Sequence, residues 1–185
     1  ALKLIADFGA DGVRAGIMLS AAAGNDLLFD EKLCEQGRNF CNKIWNALRL
    51  VKGWEVQPGA NEELSLVFEW LENKLQKTIA EIDALTEEYR LSEALMTLYT
   101  FIWDDFCSWY LELVKPVFGE KIHQDTVDRT LDFFEKLVQL LHPYMPFITE
   151  EIWHALKDRT AGDDLIVSIY PVAKPFNLQA IQAGE

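Results

Sequence analysis

The segment LSLVFEWLENKLQKTIAEIDAL, residues 64–85, decides the fold. It carries an apolar stripe, Leu64, Val67, Phe68, Leu71, Leu75, Ile79, Ile82 and Leu85. Spacings of three and four residues put them on one side of an α-helix, which turns once every 3.6 residues. Asn61 precedes the stripe and can cap the first turn, where Glu62 and Glu63 sit well against the helix dipole. A helix this long with one apolar stripe must be covered by other elements, and the flanking sequence supplies them.

Upstream, Asp30 can cap a helix that runs to about Lys52 and stops at Gly53. Downstream, Leu91, Leu95, Leu98, Ile102, Trp109 and Leu113 mark a helix ending at Lys115-Pro116. Val127, Leu131, Phe134, Val138 and Leu141 mark another ending at His142-Pro143, and Pro146 suits the first turn of a last one through Leu156. Long helices with short connections give an all-α fold, a helical bundle. Residues 10–21 are short, small and apolar, with glycines at 9, 12 and 16. Gly24-Asn25-Asp26 is a turn signal and Pro58-Gly59 a loop. Leu165 to Tyr170 is brief and β-branched, the composition of a strand or an extended arm, and beyond Pro175 the chain reads as a linker or the start of another element. The expected division is a connecting segment at 1–30, the bundle at 31–160 and an extended tail at 161–185.

The chain has 185 residues, ordinary for one domain, and half of them are apolar, which sustains a packed core and excludes global disorder. A net charge of −13 excludes general coating of nucleic acid and adhesion to an anionic membrane, so any nucleic-acid contact must be local and structured. No apolar run approaches the roughly 18 residues of a membrane span, and no secretory leader opens the chain. Cys34, Cys41 and Cys107 are an odd number. Cys34 and Cys41 lie about 10 Å apart along the expected helix, beyond disulfide reach. Buried thiols in a reducing, cytoplasmic compartment are expected. The chain opens on Ala1 inside what reads as a structured segment, and the expectation is a piece of a longer protein.

Within this acidic chain, the nineteen residues from Gln36 to Trp54 carry four cations, Arg38, Lys43, Arg49 and Lys52, and no acid. On a wheel of about 100° per residue, Asn42, Trp45, Arg49 and Lys52 fall within about 40° of Arg38. Phe40, Ile44, Ala47, Leu48 and Val51 occupy a separate arc. The helix therefore has a core face and a basic face. Arginine forks suit phosphates and base edges. The amides of Asn42 and Asn46 suit base edges, and Trp45 or Trp54 can stack on an unpaired base. Two readings stand: a nucleic-acid-binding face, or a solvated stripe whose Trp45 packs on a neighbouring helix and whose Trp54 plugs the bundle end.

No other segment assembles chemistry. Tyr99, Phe101, Trp103, Phe106, Trp109 and Tyr110 cover more than one helix face and read as core of a central helix. Asp104, Asp105 and Glu112 lack a nucleophile or second base at a suitable spacing, so no catalytic residue is expected. Glu150 and His154 are one turn apart, but two ligands do not make a metal site. The glycines at 9, 12 and 16 follow no strand and bring no phosphate-loop lysine.

Four stretches go further when read together. They are Ile5-Ala6-Asp7-Phe8-Gly9-Ala10-Asp11-Gly12-Val13-Arg14; Gly24-Asn25-Asp26 followed by Arg38-Asn39-Phe40-Cys41-Asn42-Lys43-Ile44-Trp45-Asn46-Ala47; Trp103-Asp104-Asp105-Phe106-Cys107-Ser108-Trp109-Tyr110-Leu111-Glu112; and Leu141-His142-Pro143-Tyr144-Met145-Pro146-Phe147-Ile148-Thr149-Glu150-Glu151-Ile152-Trp153. In this order they resemble class I aminoacyl-tRNA synthetases of the valine/isoleucine/leucine group. The second resembles the valine branch in particular. The resemblance spans about residues 1–170. The family's His-Ile-Gly-His-type motif, its Lys-Met-Ser-Lys-Ser loop, its Rossmann domain and its editing domain are not in this chain.

The resemblance implies the anticodon-binding bundle of such an enzyme. Residues 1–30 would be a stem-contact segment against the inner corner of the tRNA. The partners would be the tRNA(Val) anticodon stem-loop and the catalytic domain of the same polypeptide, with the piece a monomer. It would carry no cofactor, while the intact parent would use ATP with Mg to ligate valine to tRNA(Val). Arg38 and Arg49 would hold phosphates or base edges, Asn42 and Asn46 would read edges, Lys43 and Lys52 would add charge, and Trp45 or Trp54 would stack a base. Gly12 and Gly16 stand where the family more often has larger residues, which leads one to expect a less stable helix there. The alternative reading is an acidic helical protein–protein interaction module without RNA binding.

Overall fold

A computed structural model describes residues 2–21 and 29–185; the expected turn at Gly24-Asn25-Asp26 lies outside them. The order is α1 (Leu2–Phe8), α2 (Ala10–Ser20), α3 (Glu31–Lys52), β1 (Val56–Gln57), α4 (Ser65–Glu87), α5 (Leu91–Thr100), a π-helical stretch (Phe101–Tyr110), α6 (Leu111–Val114), β2 (Ile122–His123), α7 (Gln124–Leu141), α8 (Pro146–Leu156) and α9 (Leu178–Gly184). The all-α bundle is the observed architecture. The two short strands pair in parallel, Val56 with Ile122 and Gln57 with His123, and tie the end of α3 to the start of α7.

The helix boundaries follow from their end groups. Asp30 accepts the Lys32 N–H at 2.9 Å and starts α3, which ends at Gly53. Asn61 accepts the Glu63 N–H at 3.1 Å and opens a 3₁₀ turn, Glu62–Leu64, that runs straight into α4. Pro146 occupies the first turn of α8, where a missing N–H costs nothing. Phe40, Ile44, Ala47, Leu48 and Val51 of α3 are all buried, as are Leu71, Leu75, Ile79 and Ile82 of α4.

The central helix departs from a simple α-helix. From Phe101 to Tyr110 the bonding shifts to i→i+5, a wider turn that is rare at this length. The Leu111 N–H reaches the Phe106 carbonyl, and the Ser108 hydroxyl donates to the Trp103 carbonyl at 2.8 Å. The wider turn distributes the six aromatics unevenly. Phe101, Phe106 and Tyr110 are buried, Tyr99 and Trp103 are half-buried, and Trp109 is 63% exposed and so is not core. Phe106 meets Phe134 edge-on at 5.0 Å, and the Tyr110 hydroxyl bonds Thr130 Oγ1 at 2.8 Å.

Two further expectations change. The β-branched run at 165–170 forms no strand; Leu165–Val167 is a 3₁₀ turn that buries Leu165 against the bundle. The end of the chain is a helix, α9, packed on α4 through buried Ile181 and capped by Asn177. Between them the tail is extended but fastened. The Lys174 N–H donates to Gln76 Oε1 at 2.8 Å, the Asn177 N–H to Asn73 Oδ1 at 2.7 Å, and Gln139 Nε2 to the Ile169 carbonyl at 3.1 Å.

Gly12 and Gly16 are not weak points of α2. They are its contact surface. A Cβ at Gly16 would lie 2.5 Å from Cys34 Sγ and 2.7 Å from the Cys34 backbone nitrogen. One at Gly37 of α3 would lie 2.7 Å from the Gly12 carbonyl oxygen. The two backbones touch because none of these residues has a side chain. Alanine gains about 1 kcal/mol over glycine inside an exposed helix. Gly37→Ala is nevertheless expected to destabilise the chain by about 1–3 kcal/mol, because the helices must be forced apart. Urea unfolding checks this, and a net gain in stability would mean that α2 and α3 can separate freely.

Candidate nucleic-acid interface

The basic helix α3 is stiff, capped and buried along one arc, so its opposite arc is presented on a fixed support. The structure divides the side chains of that arc into two groups. Arg38, Asn42 and Trp45 line a groove of about 900 Å³ between α3, the α1–α2 junction and α8. Asn46, Arg49 and Lys52 lie further along, exposed, towards the C-terminal end of the helix.

In the groove half, Arg38 is already engaged by the protein itself. Arg38 donates to the Asp7 carbonyl at 3.4 Å, lies 5.5 Å from the Phe8 ring centre and pairs with Glu35 at 3.6 Å. It therefore fastens α1 to α3. Trp45 is 38% exposed and faces the groove. The other groove walls carry Asp7, Asp11, Glu150, Glu151 and Asp164, an acidic lining opposite the basic helix. Asp11 is buried at the start of α8. Its carboxylate accepts the Ile148 N–H at 2.6 Å and the Phe147 N–H at 3.4 Å, so it caps that helix from another one. Burial pushes the Asp11 carboxyl above its ordinary value, and these hydrogen bonds oppose the rise.

Lys43 points elsewhere. Its Nζ sits 5.1 Å from the ring centre of Trp103, which stacks on Tyr99 at 5.5 Å, so it packs against the central helix. Trp54 is half-buried against the core and closes the end of the bundle. It also lines a cleft of about 470 Å³ with Leu50, Gly53 and residues 115–120. That loop is held in place by the Ile122 N–H, which donates to the Glu55 carbonyl at 2.8 Å, and by Gln57 Nε2, which donates to the Lys121 carbonyl at 3.3 Å. Nothing in the sequence periodicity marks the loop, because it belongs to no regular element.

The protein's own acids neutralise most cations elsewhere. Lys74 pairs with Asp105 and Glu185, Arg90 with Glu88 and Glu93, Arg129 with Asp125, Lys136 with Glu72, and Arg159 with Glu135. Among the described residues, Lys43, Arg49 and Lys52 of α3 have no acid within 4.0 Å. Arg49 and Lys52 also lie in the last turn, where cations are favoured by the helix dipole.

His154 Nε2 lies 3.2 Å from Glu150 Oε1, and the structure adds Asp164 at 3.0 Å. These three offer ligand atoms within 4.8 Å of one another. The same Glu150 oxygen accepts the Leu165 N–H at 2.8 Å, so in this fold the cluster ties the tail to α8. No helix among the described residues is long and apolar enough to cross a membrane.

The described residues thus form a helical bundle whose α3 presents Arg49 and Lys52 exposed and without an acid partner. Comparison with known proteins is more specific. The family model for the anticodon-binding domain of tRNA ligases matches residues 69–184, well over half of the chain, and the chain belongs to that family. Valine–tRNA ligase of Phocaeicola vulgatus is 59% identical over 167 residues, covering 90% of this chain and 19% of that protein. That of Porphyromonas gingivalis is 50% identical over 184 residues, covering 98% and 21%. That of Carboxydothermus hydrogenoformans is 42% identical, covering 92% and 20%. The chain thus spans about a fifth of the length of the relatives it matches. Among solved structures, the leucine enzyme in the ternary complex of Agrobacterium radiobacter K84 agnB2 LeuRS, tRNA and LeuAMS superposes with a TM-score of 0.61. It covers 98% of this chain at 17% identity, a likeness of fold.

The groove also carries Cys41, whose thiol burial pushes up to about 12; Cys107 is likewise at about 12 and Cys34 is raised. At pH 8 the reactive thiolate is therefore scarce in the folded chain. Alkylation of the native protein by iodoacetamide is expected to be at least about 100-fold slower than in denaturant. Mass spectrometry after a timed quench reads it, and rapid labelling of Cys41 alone would show that the groove opens.

Proposed function

We propose that this chain is the anticodon-binding part of a valine–tRNA ligase, and that it holds the tRNA(Val) anticodon stem-loop against the exposed arc of α3. In this reading the intact parent uses ATP with Mg to ligate valine to tRNA(Val), in the cytoplasm. The piece itself supplies RNA binding without a catalytic site. The catalytic domain of the same polypeptide is its other partner, residues 1–30 brace the inner corner of the tRNA, and the piece is a monomer.

The observation that carries the reading is the charge on α3. A chain with a net charge of −13 leaves Arg49 and Lys52 unpaired on one exposed helix end. Unpaired surface cations in an acidic protein are spare capacity for an external anion, and a phosphate backbone is the anion that the family implies. Within the basic face, Arg49 and Lys52 suit phosphate contact, and Asn46 beside them suits a base edge. Arg38 and Lys43 act less directly, since each already has a partner inside the protein.

The test is the salt dependence of binding by the 185-residue chain to a valine anticodon stem-loop. Affinity should fall steeply with salt, and Arg49→Ala and Lys52→Ala should each lower the logarithmic slope by about one. A salt-independent affinity would favour apolar docking and a protein partner instead. Valine-dependent pyrophosphate exchange by the purified chain is expected to stay at the level of a blank preparation, and activity above that level would mean a catalytic site in this piece.

A further inference from the structure

The tip of the bundle holds an exposed aromatic that the basic face does not explain. Phe118 is fully exposed, at 104% of its reference area, and its neighbour Val117 is 69% exposed. Both belong to the loop from Lys115 to Lys121, which joins α6 to β2 and shares the 470 Å³ cleft with Leu50 and Trp54 at the end of α3. Leu50 is itself 43% exposed. The loop's ends are fixed by the β1–β2 pair and by Gln57, and residues 115–120 share the cleft with Leu50 and Gly53, the chain neighbours of Arg49 and Lys52, and with Glu55. Gly119 follows at φ 83°, a left-handed conformation that turns the chain sharply just past the ring.

A phenyl ring so placed has lost nothing by folding and gains nothing from it. Exposed large apolar groups beside unpaired cations are what an unpaired nucleobase needs: a flat face to stack on, and charge for the phosphates that flank it. Lys121, at the far end of the loop, has no acid within 4.0 Å among the described residues and adds a third cation to Arg49 and Lys52.

We propose that the 115–121 loop is a second RNA-contacting element, in which Phe118 stacks on an unpaired base of the stem-loop whose phosphates Arg49 and Lys52 hold. It rests on the reading of the domain as an RNA binder and adds the residue that distinguishes an open loop from a duplex.

The experiment measures affinities of the 185-residue chain for a valine anticodon stem-loop and for a blunt RNA duplex of the same stem, at about 150 mM salt. Phe118→Ala should weaken stem-loop binding about tenfold, with the duplex affinity changed less than twofold and the salt slope unaltered. Phe118→Trp should restore or exceed the original affinity. Arg49→Ala should weaken both RNAs and reduce the slope. Equal stem-loop affinities for Phe118→Ala and the unaltered chain, with Arg49→Ala still impaired, would overturn the stacking role while leaving the RNA-binding reading intact. Failure of the unaltered chain to bind either RNA would overturn both. Loss of self-association by Phe118→Ala in sedimentation, without an RNA effect, would assign the tip to a second copy of the chain and reject the proposal.

Discussion

The close approach of α2 to α3 is the constraint on which the rest depends. Gly12, Gly16 and Gly37 let two backbones touch where any side chain would collide. Each glycine costs about 1 kcal/mol in helix propensity relative to alanine, and dense backbone packing offsets that cost. With α2 so seated, Asp11 reaches the N–H groups that start α8, and Arg14 donates to the Pro143 and Tyr144 carbonyls at 3.2 and 3.1 Å. One short helix therefore sets the position of α8 against α3, and with it the width and lining of the groove between them.

The opposite end of α3 is positioned by different means. There the β1–β2 pair joins two loops that contain no helix, and Trp54 closes the core. The central helix holds the middle. Its π-helical stretch turns Phe106 and Tyr110 inward, while Tyr99 and Trp103 meet Phe40 and Lys43 of α3. Tyr110 brings a hydroxyl into the core, and the pair it forms with Thr130 is completed by a Thr130 hydroxyl bond to the Thr126 carbonyl at 2.7 Å. The Tyr110 and Thr130 hydroxyls are both bonded in this chain, while the buried Thr126 hydroxyl beside them has no partner. The helix that presents the basic face is thus supported at both ends and along its length.

Most helix boundaries were legible because they are local. Asp30, Gly53, Asn61 and Pro146 act on the backbone within one turn, and the apolar stripes need only a 3.6-residue period. The π-helical stretch was not legible, since the same aromatics fit either turn until the partners are known. Nor was the purpose of Gly12 and Gly16, which is set by Cys34 and Arg38 on another helix, 18 or more residues away. The tail failed for a related reason: a seven-residue helix such as α9 has little signal of its own and forms because Ile181 finds the surface of α4. At the candidate site, the wheel grouped Arg38, Asn42, Trp45, Arg49 and Lys52 by angle. It could not show that a third helix stands opposite the first three of them.

That division along the helix governs how an anion meets α3. Trp45 is the last groove residue on α3 and lies one turn, about 6 Å along the axis, before Arg49. The acids at Asp7, Asp11, Glu150, Glu151 and Asp164 line the groove beside Arg38, Asn42 and Trp45, and none of them pairs with Arg49 or Lys52. A polyanion approaching the exposed arc is repelled at one end and attracted at the other, although the arc looks uniformly basic in sequence. The net charge of −13 opposes a polyanion over the whole chain, and in the proposed reading Arg49, Lys52 and Lys121 offset it at the bundle tip, where Glu55 and Glu120 also lie.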